Sequence, residues 1–101
     1  MARVVAYVPD LMDRSRLGAI EGLAFVASPA ELAGAAEGAE LVVVDLSRPG
    51  VLEALAGLRG VRTVGFGSHV DRELLASAEA AGCAEVLPRS RFFARVAELT
   101  G

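Results

Sequence analysis

Apolar positions in this chain gather into five short runs separated by longer stretches of mixed polarity. The runs are Arg3 to Val8 (RVVAYV), Leu23 to Ala27 (LAFVA), Glu40 to Asp45 (ELVVVD), Val61 to Phe66 (VRTVGF) and Ala84 to Leu87 (AEVL). They are rich in β-branched residues and nearly continuously apolar, without the in-out alternation of a half-exposed strand. That is the pattern of strands covered on both faces, and it predicts a parallel sheet.

The intervening stretches have helical character. Ser28-Pro29-Ala30-Glu31 combines a capping serine, a proline suited to the first turn and a glutamate placed to complete a capping box, so it predicts a helix over 29–37, closed by Gly38. Ser68, with Asp71 three positions on, is expected to start a fourth helix that Ala81-Gly82 closes at a left-handed turn. Ser90 is the expected cap of a last helix over 91–99, which carries Phe92, Val96 and Leu99 at helical spacing. Helices near 11–21 and 50–58 are less sharply bounded.

Strands alternating with helices give a βα repeat, and right-handed crossovers leave few ways to arrange it. The arrangement expected at this length is a single domain over 1–101: a flavodoxin-like, doubly wound, five-stranded parallel sheet in the order 2-1-3-4-5, inside a three-layer αβα sandwich. Reactive groups in such sheets collect at the carboxyl ends of the strands. That rule selects Val8, Pro9 and Asp10 after strand one, Asp45, Leu46 and Ser47 after strand three, Gly67, Ser68 and His69 after strand four, and Pro88 and Arg89 after strand five.

Composition narrows the function classes. The 101 residues carry thirteen acids against ten bases, all of them arginine, for a net charge of −3. The charges are scattered with no basic stripe, which argues against nucleic-acid binding. No apolar run approaches the roughly 20 residues of a membrane helix, and the amino terminus leads straight into a strand, so a cytoplasmic protein is expected. A lone Cys83 forms no internal disulfide and reads as a small core residue. No zinc spacing, P-loop or dinucleotide fingerprint is present, so neither an enzyme nor a resident metal is expected. Gly65 and Gly67 read as places where the backbone passes close to a neighbour.

Asp45 ends the most apolar strand, where a carboxylate can act as nucleophile, ligand or loop cap. Its segment, ELVVVDLSRPG at 40–50, resembles the phospho-acceptor stretch of response-regulator receiver domains: acid, apolar strand, aspartate, leucine, two variable residues, proline, glycine. The opening MARVVAYVPDLMDR and the stretch AEAAGCAEVLPRSRF are similar to receiver sequence as well. The resemblance implies that Asp45 is the phospho-acceptor position, with Asp10, Ser68, His69 and Arg89 at the crevice and switch positions.

The departures from that pattern matter as much. The receiver's metal-binding acid pair falls on Val8 and Pro9, leaving only Asp10, one residue later. The hydroxyl residue of strand four falls on Gly67, beside Ser68, and the lysine after strand five is Arg89. Val and Pro offer no side-chain oxygen to a hard cation, and arginine is not a point-charge substitute for lysine. The resemblance therefore implies a degenerate pseudo-receiver that binds Mg²⁺ weakly, with Arg89 neutralising Asp45. No cofactor is expected, Mg²⁺ entering only if the chain is a working phosphorelay protein.

The leading expectation is a signalling domain that works through contact with another protein, such as a histidine kinase or an output protein, or through homodimerisation. Phe92 and Phe93 are adjacent, so one is expected to stay partly exposed as a partner anchor. The alternatives are a single-domain response regulator phosphorylated on Asp45, and a small-molecule or anion-binding protein using the crevice, where Arg48, Arg89 and Arg91 share an edge. Ser68, His69 and Asp71 lie too close in sequence to suggest a catalytic relay.

Overall fold

The structure, a computed structural model, describes residues 3–100 apart from positions 19, 59 and 69. Among the described residues five strands alternate with five helices: β1 Val4–Tyr7, α1 Leu11–Leu17, β2 Leu23–Phe25, α2 Leu32–Ala35, β3 Leu41–Asp45, α3 Val51–Leu55, β4 Arg62–Gly67, α4 Arg72–Ala80, β5 Glu85–Pro88 and α5 Arg89–Thr100. All neighbouring strands pair in parallel, in the order β2-β1-β3-β4-β5. This is the flavodoxin-like arrangement expected from the apolar runs.

Strand parity divides the core into two layers. Val4 and Ala6 of β1 with Val8 just beyond it, Leu41 and Val43 of β3, and Val64 and Phe66 of β4 face α1 and α5, where they meet Leu17, Phe92 and Phe93. Val5, Tyr7, Val42 and Val44 face the opposite way, against Leu32, Val51, Leu55 and Ala78. Both faces of β1 and β3 are thus buried, which is why their sequences are apolar without alternation. β2, at the sheet edge, is shorter and more exposed than its run suggested.

Several helix boundaries differ from the expected ones. The first helix stops at Leu17, and Gly18 caps it; Ile20 then turns back against the core. Pro29–Glu31 forms a 3₁₀ turn, and only one α-helical turn follows it. The Glu31 carboxylate does return to the turn, accepting from the amides of Ala27 and Ser28 at 2.8 and 2.9 Å. α4 is capped by Asp71, whose carboxylate accepts from Leu74 N at 3.2 Å, and not by Ser68, which lies too far upstream to reach the helix amides. At its other end Gly82, at φ 114°, lets Cys83 N reach Ala78 O and Gly82 N reach Glu79 O, a Schellman closure. β5 runs directly into α5 at Arg89, so Ser90 lies inside the first turn and is not its cap.

Candidate functional site

The strand-end crevice is built by parity and by caps. Asp45 shares the face of Leu41 and Val43, so it continues their line towards α1 and α5 at the end of β3, where it is 2% exposed. Its register partner is Phe66 of β4. One residue further on, Leu46 crosses to the opposite layer and fills the space above Gly65. A Cβ placed on Gly65 would lie 2.8 to 2.9 Å from the Leu46 side chain, so the glycine expected to allow a close approach does so here.

Asp45 is satisfied by its own loop. Its Oδ1 accepts from the Ser47 amide at 3.0 Å and the Ser47 hydroxyl at 2.7 Å, and its Oδ2 from Arg48 Nε at 3.5 Å. The expected pair between Asp45 and Arg89 is not formed. Arg89 Nη2 instead donates to Asp13 Oδ1 at 2.7 Å. The reason lies in α1: Asp13 and Leu17 stand four residues apart on the inward stripe of the helix, so the carboxylate is carried into the α1–α5 seam, 3% exposed, directly opposite Arg89.

Asp10 caps α1, its Oδ1 accepting from the amides of Met12 and Asp13 at 2.9 and 3.0 Å. Those bonds, with Asp13's the larger effect, hold its carboxyl below the usual range. Desolvation, second in size to the Asp13 bond, opposes the shift, and the guanidiniums of Arg48 and Arg89 add to it. Arg89 is held above its ordinary value, first by the hydrogen bond to Asp13 and then, against a desolvation cost, by the charges of Asp13, Asp45 and Asp10. The crevice therefore brings together Asp10, Asp13, Asp45, Arg48 and Arg89 as one electrostatic group.

Ser68 is exposed just past the end of β4; its hydroxyl accepts a long bond from Val70 N, at 3.4 Å. His69 lies outside the described residues. Asp71 is engaged in capping α4, its carboxylate accepting from Leu74 N.

The expectation of a half-exposed aromatic at 92 or 93 is corrected. Phe92 stacks on Phe66 with ring centroids 4.6 Å apart, and Phe93 meets both edge-on at 5.3 and 4.9 Å. Phe93 escapes solvent because two cations cover it, the guanidinium carbons of Arg16 and Arg89 lying 4.1 and 5.5 Å from its centroid. Cys83 is buried, and burial pushes its thiol up to about 11.

The residues present do not fit a hard divalent cation. Val8 and Pro9 supply no side-chain oxygen, Asp10 is turned onto helix amides, and Asp13 is taken by Arg89. Among the described residues no group of three His, Cys, Asp or Glu side chains is arranged to hold a metal.

Asp13 and Arg16 are the residues that sequence reasoning missed. The signal was available for the first: an acid four residues before Leu17 lies on the buried stripe of its helix.

No protein-family model matches the chain, and no curated protein matches it. Solved structures do share its shape. A pilus assembly protein, CpaE, from Burkholderia thailandensis superposes with a TM-score of 0.72 at 14% identity, over 99% of this chain and 98% of that one. A second, CpaE2 from Sinorhizobium meliloti, superposes with a TM-score of 0.62 at 20% identity, over 93% and 96%. At those identities the likeness establishes the three-layer parallel fold, which this chain shares with both pilus assembly proteins.

Proposed function

We propose that the chain is a receiver-like signalling domain that acts through contact with another protein and is not an enzyme, with Asp45 occupying a phospho-acceptor position that has lost its phosphotransfer role. The observation that carries this reading is the partnering of the crevice: Asp45 is bound by Ser47 and Arg48, while Arg89 is bound by Asp13. Phosphoryl transfer to a carboxylate needs a free nucleophilic oxygen and cations released to the phosphoryl oxygens. Here both Asp45 oxygens are engaged in a buried position, and drawing Arg89 across would leave the Asp13 carboxylate buried without its cation. The crevice then serves as a fixed closure of the strand-end edge, and function passes to the surfaces around it. Because two chains of this fold are pilus assembly proteins, we extend the proposal to a contact made within an assembly of that kind.

The test is titration with Mg²⁺ and beryllofluoride, a stand-in for the phosphoryl group, followed by backbone amide shifts. The reading expects no saturable change at Leu46, Ser47 and Arg89. Saturable changes at those amides, abolished in Asp45→Ala, would restore the phosphorelay alternative.

A further inference from the structure

The first turn of α1 is inverted relative to an ordinary amphipathic helix. Its carboxylate at Asp13 points inward, while Leu11 and Met12 are 77% and 80% exposed. An apolar pair left outside at the start of a helix that buries an acid calls for a partner surface.

Beside that pair lies a cavity of about 470 Å³ lined by Asp10, Met12, Asp13, Ser15, Arg16 and Arg89. Among the described residues, each ionised group in the lining has a partner except one. Asp10 is bound to helix amides, and Asp13 and Arg89 are bound to each other. The Arg16 guanidinium carbon lies over the Phe93 ring, 4.1 Å from its centroid, and no carboxylate of the described residues pairs with it. A guanidinium held over a ring can still offer N–H donors to a carboxylate, and no described residue supplies Arg16 with one. The local charge agrees. The last turn of α1 carries Arg14 and Arg16 and the first turn of α5 carries Arg89 and Arg91, against Asp10 and Asp13 at the start of α1, a local excess of arginine on a chain whose net charge is −3.

We infer that the α1–α5 cavity is the docking site for an acidic segment of a partner protein. One carboxylate is held by Arg16, and a neighbouring apolar side chain is laid against Met12 and Leu11. The inference deepens the protein-contact reading above and rests on it. The volume suits one or two side chains, and an arginine beside exposed apolar side chains is the composition of an interface anchor.

The test uses a fluorescent peptide of alternating glutamate and leucine, with a glutamine-for-glutamate peptide as control, read by anisotropy against the whole chain. The expected result is saturable binding of the acidic peptide alone. Binding should weaken about tenfold in Arg16→Gln, as for loss of a charged hydrogen-bonded pair, weaken in Met12→Ser, and weaken with added salt. Both substitutions are at exposed positions, and unchanged urea midpoints would show that the fold is intact. Equal binding of the glutamine peptide, no saturable binding, or indifference to Arg16→Gln overturns the inference. Full displacement by free glutamate at matched carboxylate concentration would assign the cavity to a small carboxylate. A dimer in sedimentation that Met12→Ser dissolves would assign the face to a second copy. A beryllofluoride response at Asp45 would undo the proposed function and leave the peptide result standing, whereas failed peptide binding with a silent Asp45 would undo this site alone.

Discussion

Asp13 and Arg89, 76 residues apart in sequence, meet at 2.7 Å and tie the first turn of α1 to the first turn of α5. The carboxylate is buried, and the guanidinium, 43% exposed, lies over the rings of Phe66 and Phe93. Arg89→Met removes the cation and strands a buried charge. Full burial of such a pair would make its breakage cost about 3–5 kcal/mol; because Arg89 is partly solvated, about 1–3 kcal/mol is expected in urea unfolding. Asp13→Leu combined with Arg89→Met should recover most of that loss, since it removes both charges together. A double variant as unstable as the single one would show that the pair is not what couples the two helices.

The close approach at the end of the sheet makes a second prediction. Gly65→Ala drives a methyl group to within 2.8 Å of Leu46 Cδ2, and overpacking of this kind is expected to cost about 1–3 kcal/mol. Leu46→Ala in the same chain opens the space, so the two substitutions should be less than additive in a denaturation series.

Capping separates Ser68 from Asp71. Asp71→Ala removes the acceptor for Leu74 N and should lower stability by about 1 kcal/mol. Ser68→Ala removes only a 3.4 Å contact and should leave the urea midpoint close to that of the parent. The reverse ranking would place the start of α4 at Ser68.

Asp10 gives the acid side of the stability profile a definite sign. The Asp13 amide, then the Met12 amide and the guanidiniums of Arg48 and Arg89, hold its carboxyl below the ordinary 3.8, against a weaker burial effect. A carboxyl depressed in the folded state contributes stability that is fully present above its unfolded value and is lost as pH falls through the folded one. The contribution should therefore fade below pH 3.8. Urea midpoints of the parent and of Asp10→Ala should converge as pH is lowered through that window, and a constant gap would contradict the assignment.

The sheet was legible because burial on both faces leaves its mark on the strands: β1 is apolar at every position and β3 at every one before its terminal Asp45, and that alone implies helices on either side. The capping glutamate at Glu31 and the left-handed close at Gly82 were legible for the same reason, since each is a local contact between residues a few positions apart. The partner of Arg89 was not. Asp45 and Asp13 are both acids near the same edge, and the choice between them depends on how far the α1 stripe carries Asp13 inward. The burial of Phe93 was hidden likewise, because one of the arginines that cover it, Arg16, stands 77 residues away along the chain on a different helix, a separation that no local pattern supplies.

The central claim is that Asp45 is closed off as a phospho-acceptor, and intact mass spectrometry tests it most directly. The chain is incubated with acetyl phosphate and Mg²⁺ alongside Asp45→Ala. The account predicts that the parent keeps its unmodified mass under conditions that fully label a working receiver. One added phosphate on the parent, absent from Asp45→Ala, would contradict it.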